Sequence, residues 1–159
     1  MSVEIERKFL VDREKWIRDR KIESIEKIAQ GYLSTEIDAT IRVRIKNDRG
    51  FLTIKGKSHG ISRAEFEYEI PISDAESLLD LCKPIPIVKT RYVEIFAGHR
   101  WEVDEFDREN SGLILAEIEL QSESETFSKP SWILDEVSND PRYFNSNLSK
   151  NPFNRWEEV

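Results

Sequence analysis

The feature that most constrains this chain is a two-residue alternation of charged and apolar residues whose charges are sorted by sign. Glu4, Glu6 and Lys8 share one parity, and Val3, Ile5 and Phe9 take the other. The same period returns with Arg42, Arg44 and Lys46, then Lys55 and Lys57, and then Glu65, Glu67 and Glu69. Further along come Lys89 and Arg91, Glu102 and Asp104, and Glu117 and Glu119. Alternate residues of a strand face opposite sides of a sheet, so each row lies on one face and its apolar neighbours on the other. For the first stretch alone, a solvated face is the simpler reading. Sorted rows argue otherwise, because like charges on neighbouring same-face positions repel and a merely wet surface has no reason to collect them. A sheet closed into a barrel places every row around one lumen. The apolar faces then point outward and need helices over them. The fold expected is α+β and mainly β, antiparallel with helices packed outside; alternation alone does not close it into a barrel.

The 159 residues suffice for one domain with a real core. Charged residues make up 35% of the chain and the net charge is −7, which argues against duplex nucleic acid and anionic membranes as partners. Cys82 is the only cysteine and no apolar run approaches membrane-spanning length, so a cytoplasmic protein is the expectation. The oligomeric state stays open, a homodimer included.

Local signals fill in the elements. Asp12 can cap a short helix reaching about Arg20, with Trp16 and Ile17 as packing residues. A short strand is expected over 30–34, a hairpin over 40–57 with its turn at 47–50, and a strand over 63–70. Ser73 with Glu76 reads as a capping box for a helix to about Lys83 that docks Leu78, Leu79 and Leu81, with Pro84 and Pro86 as its stop. A second hairpin turns at Ala97-Gly98, a strand follows over 113–121, and a short helix is expected over 132–137. Asp140-Pro141 is a cap with proline at a helix start. His59 and His99 fall in expected loops, far from any zinc pattern. The four tryptophans and Cys82 read as packing residues.

Basic rows suit a polyanion, and the planar fork of arginine suits phosphate. Clustered carboxylates suit hard divalent ions with oxygen ligands. Together these are the parts of metal-assisted phosphoryl transfer. At this point the chain resembles the CYTH superfamily, the triphosphate tunnel metalloenzymes, and among them the compact bacterial inorganic triphosphatases. Glu4-x-Glu6-x-Lys8 is similar to the ExExK signature of that superfamily. Arg42-x-Arg44, Arg63-x-Glu65-x-Glu67, Lys89-x-Arg91, Asp104, Glu117-x-Glu119 and the Asp140-Pro141-Arg142-Tyr143 tail follow in the expected order.

The resemblance implies closure: a single domain over 1–159 whose closed eight-stranded antiparallel barrel forms a tunnel, with 130–159 as a helical segment acting as a lid near Tyr143. It implies that Lys8, Arg42, Arg44, Lys55, Lys89 and Arg91 hold the triphosphate. It implies that Glu4, Glu6, Glu65, Glu67, Asp104, Glu117 and Glu119 hold one or two Mg²⁺ or Mn²⁺ ions, and that Lys8, Glu6 and Glu119 carry the catalysis. No histidine is placed as a general base, so a water activated by the ions is the expected nucleophile. Hydrolysis of inorganic triphosphate is favoured, since no aromatic or amide cluster offers to read a nucleobase. The alternatives are a class IV-type adenylate cyclase, a hydrolase of nucleoside, thiamine or RNA 5′-triphosphates, or a polyphosphate-binding module without catalysis.

Overall fold

The computed structural model describes residues 2–83 and 85–156. Its strands are β1 (Ser2–Val11), β2 (Ser24–Glu36), β3 (Ala39–Lys46), β4 (Arg49–Gly56), β5 (Ser62–Ile70), β6 (Ile87–Phe96), β7 (His99–Phe106), β8 (Ile114–Glu119) and β9 (Ile133–Glu136). All neighbours pair antiparallel, and eight strands close in the order β1-β5-β4-β3-β2-β6-β7-β8 and back to β1. β1 is the seam. Positions 2–5 pair with β5 and positions 6–10 with β8. β9 pairs with β1 at Phe9 and Val11, beyond the last β5 partner.

β9 replaces the helix expected over 132–137. The C-terminal half of β1 has unpaired backbone groups once β5 departs, and such an edge takes a strand. Arg7 holds β9 through Glu136, at 2.9 Å from Nε, and the Val137 amide donates to the Lys8 carbonyl at 2.8 Å. β2 is much longer than the 30–34 segment expected. Its even positions mix Glu26, Ile28 and Gln30, which hides the period, but β3 and β6 flank it on both sides. The β3–β4 turn is tighter than the sequence suggests, and the β6–β7 turn falls at Ala97-Gly98 as expected. Asn47-Asp48 links β3 to β4, with Asn47 at φ 56°, while Ala97 and Gly98 (φ 48° and 81°) link β6 to β7. Positive φ at both central residues matches the right-handed twist of the strands. His99 opens β7 and is not in a loop.

The apolar faces point outward and are covered. Helix α1 (Arg13–Asp19) is capped by Asp12, whose Oδ1 accepts from the Lys15 amide. Its Trp16 joins Phe9, Trp101, Ala116, Ile118 and Trp132 in an outer core. The Trp16 indole N–H donates to Glu94 Oε2 at 2.7 Å, and Glu94 Oε1 accepts from the Lys21 amide at 2.9 Å. Ile17 is 49% exposed, because so short a helix turns only one face to the barrel.

Helix α2 (Ile72–Leu81) lies over β2, β3 and β4. It starts at Ile72, so the Ser73–Glu76 capping box does not form. The Pro71 carbonyl accepts from the Asp74 and Ala75 amides instead. Leu81 is exposed, and the close contacts are made by Ala75, Leu79 and Cys82. A Cβ at Gly31 would sit 2.6 Å from Cys82 Cβ, and one at Gly50 would sit 2.6 Å from Ala75 Cβ. These two glycines let the helix lie close on the sheet. Pro86 follows the helix, while Pro84 lies outside the described residues. No helix among the described residues is long and apolar enough to cross a membrane.

Beyond β9, Asp140 caps a 3-10 turn at Pro141–Tyr143, and helix α3 (Asn145–Lys150) follows. Tyr143 and Leu148 pack with Ile87, Phe106, Leu113 and Leu115. Ile87, Phe106 and Leu115 share the parity of Lys89, Asp104 and Glu117. This second core therefore plugs one end of the lumen.

The glycine contact is testable. Gly31→Ala should lower stability by about 1–3 kcal/mol, the usual cost of overpacking, read as a lower midpoint in urea.

Candidate active site

The strand register brings the sorted rows together. Lys8 lies opposite Glu117 and Glu6 opposite Glu119, while Glu4 faces Arg63 on the other edge of β1. Arg42 is opposite Thr53, Thr53 opposite Glu67, and Lys55 opposite Glu65. Arg91 is opposite Asp104. The register thus sets these charges side by side on one face of the sheet.

Most of these charges are paired. Asp104 is 1% exposed and Lys89 2% exposed. Asp104 accepts from Arg91 through both oxygens, at 2.8 and 2.9 Å, and from Lys89 Nζ at 2.7 Å. Burial would raise the Asp104 pKa, but Arg91 and Lys89 outweigh it and hold the carboxyl well below the usual range. With both oxygens engaged, Asp104 orients two cations here. Lys55 Nζ lies 2.9 Å from Glu4 and 3.5 Å from Glu65. Glu67 accepts from the Thr53 hydroxyl at 2.9 Å and lies 3.7 and 3.6 Å from Arg42 and Arg44. Lys8 Nζ is 3.5 Å from Glu117. Burial alone would raise the Glu117 pKa, yet Lys8 and its cationic neighbours bring it down to about 2.

Other groups in the lumen keep unmet partners. Among the described residues Glu6 and Glu119 form no ion pair. Burial, then Glu117 and Glu4, push the Glu6 pKa up to about 8, and burial with Glu4 and Glu102 raises that of Glu119. On the basic side, burial and then Arg42 and Arg91 lower Arg44 to about 10. Arg42, Arg44 and Arg63 each keep a buried Nε with no hydrogen-bond partner. Among the described residues no three carboxylates, histidines or cysteines stand close enough to hold a metal as they are. The donor set nevertheless fits a hard cation: Glu4, Glu6, Glu117 and Glu119 are oxygen donors whose mutual repulsion a divalent ion would relieve.

A cavity opens where Glu4, Glu6, Lys8, Arg42, Lys55 and Arg63 meet Ser58–Ile61 and the tail. Ser138, Phe144, Asn145 and Ser146 form its far wall. The proteins similar to this chain bear on what such a cavity takes. The CYTH domain profile matches residues 2–150. The chain belongs to the CYTH family. An inorganic triphosphatase of Acetivibrio thermocellus is 48% identical over 159 residues, covering 99% of this chain and 100% of that protein. An inorganic triphosphatase of Nitrosomonas europaea is 35% identical over 150 residues, covering 92% and 96%. A crystal structure of an inorganic triphosphatase superimposes with a TM-score of 0.67 at 32% identity, covering 94% of this chain and 95% of that one.

Some residues of this CYTH lumen lie outside the sorted rows. Tyr32 points inward, and the fully buried Gln30 beside it donates to the Tyr32 hydroxyl at 3.4 Å. Glu26 faces in and lies 3.3 Å from Lys46. Charge alternation gave no signal for Gln30 and Tyr32, which are neutral. Arg63 was visible as part of its row, but only the register places it opposite Glu4. At the strand ends, Glu69 pairs with Arg49 on an exposed rim, Lys57 is exposed, and Glu102 lies 3.2 Å from Arg91.

Two outcomes follow from these pKa shifts. Asp104→Ala should cost roughly 3–5 kcal/mol of stability, measured by urea unfolding, because it leaves buried cations uncompensated. Glu6 has the opposite sign. Its folded pKa lies above its ordinary 4.5, so its contribution is whole below that value and is lost as pH rises toward about 8. The Tm of metal-free protein in EDTA should fall across that window, and Glu6→Gln should flatten the fall.

Proposed function

We propose that this protein hydrolyses inorganic triphosphate (tripolyphosphate) to pyrophosphate and orthophosphate, with Mg²⁺ or Mn²⁺ as cofactor. The observation that carries this reading is the split of unpartnered groups within one lumen. Guanidinium groups of Arg42, Arg44 and Arg63 keep unpaired N–H donors on one side, and Glu6 and Glu119 lack a cation on the other. A chain of phosphates carrying divalent cations satisfies both. The names of the two relatives agree with it.

In this reading Arg42, Arg44, Lys55, Lys89 and Arg91 grip non-bridging oxygens, with Asp104 holding Lys89 and Arg91 in place. Glu4, Glu6, Glu65, Glu67, Glu117 and Glu119 hold the cation or cations. The bound cation supplies charge neutralisation and a lowered pKa for the attacking water. Lys8, fixed by Glu117 and the Tyr143 carbonyl, neutralises charge on the leaving pyrophosphate. Residues 138–146 cover the cavity as a lid. We place the protein in the cytoplasm, on the strength of its lone cysteine.

The test is a substrate panel of tripolyphosphate, ATP, GTP, thiamine triphosphate and pyrophosphate, with products resolved. Orthophosphate should come fastest from tripolyphosphate, only with Mg²⁺ or Mn²⁺, and EDTA should abolish it. Glu6→Gln and Glu119→Gln should remove most of the rate while the fold persists. Arg44→Ala should lower kcat/KM by roughly 10²–10³-fold. Release that survives EDTA, or cyclic AMP as the main product from ATP, would overturn the reading.

A further inference from the structure

The tail contributes one side chain whose position structural support alone does not explain. Asn145 Oδ1 accepts from two lumen groups, Lys89 Nζ at 3.1 Å and Gln30 Nε2 at 3.2 Å. Both partners can only donate through those atoms, so the oxygen end of the carboxamide is settled by chemistry. Its Nδ2 then has no hydrogen-bond partner among the described residues. Asn145 also lines the cavity that holds Lys8, Arg42 and Lys55. The segment leading into it is tied down at two points. Lys8 Nζ donates to the Tyr143 carbonyl at 3.1 Å, and the Lys8 amide donates to Ser138 Oγ at 2.9 Å.

A neutral donor has a use among these cations. Arg44 is already pulled down by burial and by Arg42 and Arg91. A further lysine or arginine would add repulsion before the anion arrives, whereas a carboxamide adds a donor and no charge. We propose that Asn145 is a substrate-binding residue: Lys89 and Gln30 orient its oxygen, and its Nδ2–H donates to a non-bridging oxygen of the bound triphosphate. This rests on the triphosphate reading above. It makes the tail part of the binding site as well as a cover over it.

The experiment measures tripolyphosphate binding by titration calorimetry, alongside hydrolysis, on the full chain. Asn145→Ala should weaken binding by roughly 10–100-fold, the usual loss for a hydrogen bond to a charged acceptor. The loss should persist in a Lys89→Met background, since Asn145 contacts the substrate itself. Disappearance of the loss in that background would overturn the proposal, leaving Asn145 a support for Lys89. Asn147→Ala removes a tie in the same segment, Nδ2 to the Pro141 carbonyl at 2.7 Å, and should leave the affinity within about twofold. An equal loss there would also overturn it. If Asn145→Ala does not fold, Asn145→Asp keeps an acceptor for Lys89 and Gln30 but lacks the N–H; wild-type affinity in that variant would refute the donor role. Binding without hydrolysis in the wild type would remove the triphosphatase reading and leave this comparison decisive. No binding at all would remove both.

Discussion

Charge buried inside a barrel is tolerable only when opposite charge is delivered with it, and the contact among Asp104, Arg91 and Lys89 does this at the deepest point of the lumen. The β6–β7 hairpin places Arg91 directly across from Asp104, so a two-residue turn at Ala97-Gly98 aligns the pair through local register. With these cations held, inward-facing rows can converge. Their apolar neighbours must then face out, and α1, α2 and the tail cover them. The outer core around Trp101 and the glycine contacts under α2 are consequences of putting charge indoors.

The lumen is graded from sealed to receptive. At one end Ile87, Phe106, Leu115, Tyr143 and Leu148 exclude water next to the fully paired Asp104. Toward the cavity, pairing becomes incomplete, and Glu6 and Arg44 are held away from their ordinary pKa values in opposite directions. There like charges lie close together, as Glu6 does beside Glu117 and Glu4 and Arg44 beside Arg42 and Arg91. Buried like charges of this kind depart from rules of local consistency, as natural proteins do at functional sites.

The charged rows of the barrel strands were legible in the sequence because a period of two leaves little freedom about which residues share a face. Glu4, Glu6, Lys8, Arg42, Arg44 and Lys55 could be grouped from that period alone. Lumen residues without charge could not. Gln30 and Tyr32 look like ordinary strand residues, and Asn145 looks like a polar tail residue, until the strand order brings β2, β6 and α3 together. Local signals failed where a distant partner outweighed them. Residues 133–136 became a strand because β1 offered an open edge, and Ser73 lost its capping role because Pro71 starts the helix through its backbone.

By itself, then, the sequence determined which side of each strand is charged, the sign of each row, and that the apolar faces need covering. Those properties follow from side-chain identity and the pleat, both local. Only the tertiary structure decided which carboxylate meets which cation, which charges stay unmatched, and that the tail forms one wall of the cavity. These depend on register and closure across as many as 142 positions of sequence separation, from Glu4 to Ser146 on the same cavity, which no local pattern encodes.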